Sequence, residues 1–239
     1  MDKLLERVLE AHGGLDRWTD VGAITARLEV DGPFWDWRGF PQIRRPQTLT
    51  VYAHQQRLRL TPFTGEDSVA TFEPDRVTIL GPDGTEIASR ANPAGSFPRY
   101  HDAVKWDDVQ LAWFMGTANW AYFTEPFLFT YPGVTVAEIE PWRENGEIWR
   151  RLAVEFPAYL PNHNPDQVFF YGEDYLLRRM EYAPDVTGGA PIAHYVHDPV
   201  TVDGFTFYGR RSVHLRGADG VADRSWAPIT IATTELTVL

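Results

Sequence analysis

The sequence predicts a mainly β protein of the α+β kind: one large curved antiparallel sheet, a half-barrel, with an N-terminal helix and a central apolar helix that plugs it. Three observations predict this. Apolar residues alternate with polar ones, the period of a half-buried strand, in run after run along the chain. Asp83-Gly84, Asn145-Gly146 and Asp203-Gly204 separate such runs and are favoured two-residue hairpin turns. Between the two groups of runs, residues 109–124 (VQLAWFMGTANWAYFT) hold no charge, in a chain whose net charge is -11.

The opening stretch, MDKLLERVLEAH, reads as an amphipathic helix. Leu4, Leu5, Val8 and Leu9 share one face, Asp2 can cap the start, and Gly13-Gly14 stops it, because glycine accepts the left-handed conformation that ends helices. LDRWTDV adds one more turn. The period then changes to two, with Ile24, Ala26, Leu28 and Val30 on one side of a strand. Further strand-like runs lie near 47–54, 57–62, 75–80 and 85–90, and later near 134–142, 148–156, 166–172, 176–183, 191–198, 205–216 and 229–238. That is roughly ten strands or more, beyond what a flat open sheet carries without curling. No linker or change of composition divides the chain, so residues 1–239 form one domain. The longest irregular stretch, 91–104, is a lid, a binding loop or a plain connector.

In the central helix Trp106, Trp113 and Trp120 are spaced by heptads, so they fall on nearly one face, drifting ~20° each time. Leu111, Phe114, Ala118 and Tyr122 make a second apolar face, and Asp107 and Asp108 sit in the first turn, where the helix dipole favours them. A membrane span needs about 20 predominantly apolar residues. This run is shorter and includes Gln110, Thr117 and Asn119, so it predicts a buried helix and no stable membrane insertion. A helix apolar on every side must be covered on every side. One sheet covers one side. The other needs the N-terminal helix, the 91–104 loop, a second subunit or a ligand. Gly116, Ala118 and Ala121 are small among large neighbours, which allows close packing or a gap.

Charges occur on strand faces that should be apolar. Arg150 shares parity with Ile148, Leu152 and Val154, Arg178 with Leu176, Met180 and Tyr182, Arg211 with Phe205, Phe207 and Val213, and His194 with Ile192 and Val196. A turn at Asp203-Gly204 pairs Val196 with Arg211. A loop centred on Thr187 pairs Met180 with His194, and a turn at Glu173-Asp174 pairs Phe169 with Arg178. The expected cross-strand row is Phe169, Arg178, Val196, Arg211. Strands lie ~4.8 Å apart, so the two arginines would be about 10 Å apart. Such a fork suits an anionic head group. The alternatives are inward acidic partners, or side chains that reach a rim.

Nine Trp, ten Tyr and fourteen Phe are a heavy aromatic load. The acidic balance argues against nucleic acid, which needs a basic face. There is no cysteine, which excludes disulfides and thiolate chemistry. In HYVHD, His194 and His197 point to opposite faces of a strand, no HExxH spacing occurs, and neither a metal nor a cofactor is expected. NHN at 162–164 reads as turn chemistry. A secretory leader would open on a basic tip and an unbroken apolar run; the opening stretch mixes charge with leucine, which as it stands reads as cytoplasmic.

AHGGLDRW at 11–18, the stretch 106–127, LPNHNPDQVFFYGEDYLLRRMEY at 160–182, and AHYVHD with VDGFTFYGRR over 193–211 together resemble uncharacterised bacterial proteins related to the outer-membrane lipoprotein carriers of the LolA/LolB type. The resemblance implies a half-barrel with helices across its concave side and an apolar cavity between, with an acyl chain or lipid as ligand class. Three functions follow. The first is a binding protein for a lipophilic, acidic-headed small molecule, lined by Trp113, Phe114, Trp120, Tyr122, Phe169 and Met180, with Arg178, Arg211 and His194 at the head. The second is a cofactor-independent cyclase, isomerase or hydrolase in the same cavity, with His194 or Tyr195 moving a proton. The third is a homodimer joined through the spare face of the central helix.

Overall fold

The computed structural model describes residues 2–98 and 104–239. Its thirteen strands form one antiparallel sheet. In chain order they are β1 (Ala23–Asp31), β2 (Gln47–Tyr52), β3 (Arg57–Thr61), β4 (Val69–Glu73), β5 (Arg76–Leu80), β6 (Glu86–Ala91), β7 (Thr135–Glu144), β8 (Glu147–Glu155), β9 (Asp166–Tyr171), β10 (Leu177–Tyr182), β11 (Ile192–Val202), β12 (Phe205–Leu215) and β13 (Ile229–Val238). The helices are α1 (Lys3–Ala11), α2 (Leu15–Trp18), α3 (Phe34–Arg38) and α4 (Asp108–Thr124).

The spatial order runs β6-β5-β4-β3-β2-β1-β13-β12-β11-β10-β9-β8-β7. Thus β6 and β7 are consecutive in sequence but lie at opposite edges. The chain between them must cross from edge to edge, and α4 makes most of that crossing, packed on β2 to β6. This is the physical reason for an uncharged helix: a segment that traverses the inside of a curled sheet has no solvent face. Residues 109–124 are all buried. No helix among the described residues is long and apolar enough to cross a membrane.

Local chemistry fixes both helices. Asp2 caps α1, its Oδ1 accepting from the N–H of Leu4 (2.8 Å) and Leu5 (3.3 Å), and Leu4, Leu5, Val8 and Leu9 are the buried face. Asp107 caps α4 in a reciprocal pair with Gln110, each side chain meeting the other's backbone N–H at 2.9 Å. Arg90 on β6 anchors that cap through Asp107 at 2.7 Å.

The hairpins at Asn145-Gly146 and Asp203-Gly204 are two-residue turns with positive φ at both positions, 52° and 83°, then 47° and 77°. Asp83-Gly84 is not. The β5–β6 ladder ends at Leu80–Glu86, and the wider loop is closed by Gly81 and Thr85, whose N···O distance is 2.8 Å. Two short elements carry too little pattern to be read: β4, whose inward pair is Ala70 and Phe72, and the single helical turn of α3 in FWDWR.

The expected row holds in part. Val196 pairs with Arg211 and Met180 with His194. Phe169, however, pairs with Met180 and not with Arg178. The β9–β10 connection is longer than the expected Glu173-Asp174 turn, and a bulge between Leu177 and Arg179 ejects Arg178 from the row. Arg178 instead meets Asp174 at 2.8 Å and Glu147 at 3.6 Å, half-buried at the end of the sheet. Arg150 keeps its parity but reaches the rim, paired with Glu138 at 2.7 Å.

Arg179, next to inward-facing Met180, alternates to the convex side, as parity expects. There it is fully buried among Trp142, Phe170 and Tyr195, bonded to Glu144 (2.6 Å), Glu181 and the carbonyl of Gly220 (2.6 Å). This is a second, smaller core, formed where the loop carrying Gly220 and Arg224 folds over the outside of the sheet.

Candidate functional site

On the side of α4 away from β2 to β6 there is a cavity of about 280 Å³. Phe114, Met115, Ala118, Asn119 and Tyr122 form its helical wall, the one-face spacing of an α-helix. Val30, Tyr182, Ile192, Val213, Ile229 and Ile231 from β1 and β10 to β13 form the wall opposite. Phe34, Trp35 and Trp37 of α3 close one end, and His163, Thr187, Trp226 and Pro228 come from loops. At the rim Trp37 (42% exposed) and Trp226 (38% exposed) meet edge to face, with centroids 6.0 Å apart.

Of the residues expected to line a pocket, Phe114 and Tyr122 do so. Trp113 is buried beside Phe97 and His163, off the cavity wall. Trp120 points to the other side of the helix, where its indole N–H donates to the carbonyls of Tyr52 (3.0 Å) and Gln55 (2.8 Å). Phe169 and Met180 flank a separate void of about 10 Å³, shared with Tyr122, Glu125 and Arg211. That is room for about one water molecule.

Arg211 is buried inside the sheet, as parity predicted, but behind Tyr122. Its Nη2 donates to the carbonyl of Tyr122 at 3.2 Å, and the guanidinium lies 4.3 Å from that ring's centroid. Burial pulls its pKa down, opposed by nearby tyrosines and the Glu125 carboxylate. With Arg178 ejected, the two arginines make no fork. His194 sits edge-on to Tyr122 at 4.9 Å with no hydrogen bond to either ring nitrogen, and burial, then the charge of Arg211, hold it well below the usual histidine range. Tyr195, its neighbour along the strand, faces the convex core and donates to Glu144 at 2.5 Å. Neither lines the cavity.

The polar groups that line it include Arg38 and Asn119 beside two tyrosines and His163. The hydroxyls of Tyr122 and Tyr182 are 3.2 Å apart, and burial raises the pKa of both. His163 Nε2 donates to the carbonyl of Phe114 at 2.9 Å, its ring stacked on Phe114 at 4.2 Å, and burial lowers its pKa to about 4. Sequence reading assigned NHN to turn chemistry. Asn164 fits that, accepting from the Asp166 N–H at 3.0 Å, whereas His163 is cavity wall. α3 and Trp226 were also missed. The available signal was FWDW between Gly32-Pro33 and Gly39, aromatic without strand alternation.

No residue on 109–124 is left for a second copy of the chain, so the spare helical face expected to join a homodimer does not exist. Residues 99–103 of the 91–104 loop lie outside the described residues; of the remainder, Phe97 packs on Trp106 and Trp113. Among the described residues no cluster of His, Asp and Glu could hold a metal ion.

No family model matches the sequence, and no curated protein matches it. Among solved structures, a LolA superfamily protein from Nitrosomonas europaea aligns over 99% of this chain and 92% of its own, at 8% identity and a TM-score of 0.53. An outer-membrane lipoprotein-sorting protein domain from Vibrio parahaemolyticus covers 99% and 91% at 8% identity and a TM-score of 0.47, and a DUF1329 family protein from Desulfovibrio piger covers 98% and 91% at 11% identity and a TM-score of 0.45. Over nearly its whole length, then, this chain has a LolA-like fold.

Proposed function

We propose that the protein binds a compact lipophilic small molecule between α4 and β10 to β13. One observation carries this: a helix buried on every side is packed against the sheet on one side only, and meets a hollow of about 280 Å³ on the other. That volume lies near the lower end of small-molecule pockets, ~300–1,000 Å³. The wall is mainly aliphatic and aromatic, so a guest is held chiefly by removal of apolar surface from water, at roughly 25 cal/mol per Å². The exposed Trp37 and Trp226 offer an apolar guest aromatic surface at the rim.

Ala118 provides the test. Its side chain lines the hollow, so Ala118→Phe fills part of it with little disturbance elsewhere. Native mass spectrometry and saturable uptake of medium-chain hydrophobes should show a guest in the parent protein and none in the variant. Absence of both retained ligand and uptake in the parent protein would overturn the reading.

A further inference from the structure

The cavity's polar groups bear on what the guest carries at its polar end. Asn119 stands in the middle of α4, 3% exposed, on the cavity wall. Its Nδ2 donates to the carbonyl of Met115 at 2.8 Å, while Oδ1 accepts nothing. A buried carbonyl oxygen without a donor is a standing cost to the fold. His163 commits Nε2 as a donor to Phe114, which leaves Nδ1 of the neutral ring as an acceptor. The Tyr122–Tyr182 pair satisfies one of its hydroxyls internally.

Among the described residues Arg38 lines the cavity and Arg211 lies behind it, and protein groups engage both. Arg38 donates to the carbonyl of Val104 at 2.9 Å, lies over the rings of Phe34 and Trp106, and has further partners in the protein. Arg211 is screened by Tyr122 and shares its small void with Glu125. A carboxylate brought into the cavity would lose its hydration and face the lone pairs of Asn119 and His163, with one tyrosine hydroxyl and an already engaged Arg38 to offset that loss. A hydroxyl would lose less and give Asn119 the donor it lacks.

From this we infer that the ligand is an uncharged amphiphile with a hydroxyl, or an equivalent hydrogen-bond donor, read by Oδ1 of Asn119. This rests on the cavity-binding reading and adds the head-group class to it.

The test is a titration of the full chain with decanol, methyl decanoate and decanoate at about pH 8, where a carboxylic acid is ionised. Quenching of tryptophan fluorescence reports occupancy. Decanol is expected to bind about tenfold tighter than the ester, the worth of one recovered hydrogen bond, with decanoate no better than the ester. Asn119→Leu should bring decanol to the level of the ester and leave the ester unchanged. This variant removes an unsatisfied group and should fold; if it does not, the ranking in the parent protein decides alone. Decanoate binding as tightly as decanol, or ester and alcohol binding equally, overturns the inference and leaves the cavity reading intact. A decanol preference that survives in Asn119→Leu overturns the assignment to Asn119. If none of the three binds, the cavity reading falls and this inference with it.

Discussion

On the side of α4 facing β2 to β6, Gly116 lies so near Phe72 that a Cβ there would collide with that ring, and Trp120 is fully enclosed and hydrogen-bonded to the β2–β3 connection. On the side facing β10 to β13, Ala118 and Asn119 border a hollow. Both sides are equally apolar in sequence. The difference comes from the sheet: a single helix inside a curled sheet seats against one wall, and the opposite wall stands off from it. The packed side holds the fold together, and the hollow side is left for a guest.

Several substitutions would break or sharpen that contrast. The largest effect belongs to the packed side. Trp120→Ala should cost about 3–5 kcal/mol, the usual range for emptying a large aromatic site. Chemical denaturation checks this, and a cost under about 1 kcal/mol would mean that the helix is not seated there. On the hollow side His163 should report through pH. Burial lowers its pKa from 6.5 to about 4, so the folded protein keeps the ring neutral while the unfolded chain takes up a proton first. Its contribution is complete above about pH 6.5 and lost as pH falls toward 4, roughly 1.4 kcal/mol per pH unit and about 3 kcal/mol in all. His163→Phe should therefore reduce the acid-side slope of stability by one proton. An unchanged slope would place His163 in contact with solvent.

Gly116→Ala should cost about 1–3 kcal/mol by overpacking against Phe72. Ala118→Phe, two residues along and larger by a whole ring, should change stability by less than about 1 kcal/mol because its volume enters the hollow. That inversion, in which the smaller insertion does more harm, is the sharpest form of the contrast. Equal costs at the two positions would erase it.

Much of the fold was legible because it follows from periodicity. The positive-φ hairpin at Asp203-Gly204 fixed register well enough to place Val196 opposite Arg211. Where a bulge intervened, the parity argument failed for Arg178, which left the inward row, while Arg179 kept the outward face and is buried there under a loop. A bulge is one extra residue, and alternation has no way to mark it in advance. The candidate site was half legible. Helical spacing gave Phe114 and Tyr122, but which face of an all-apolar helix meets the sheet depends on contacts across the chain, such as Gly116 against Phe72. α3 and His163 come from segments too short to show a period.

The claim that one side of α4 is filled and the other hollow can be tested by diffraction from crystals held under xenon, which enters dry apolar cavities. The account predicts a xenon site bounded by Ala118, Ile192 and Val213, and none between Gly116 and Phe72. Side chains occupying the space beside Ala118, with no xenon bound there, would contradict it.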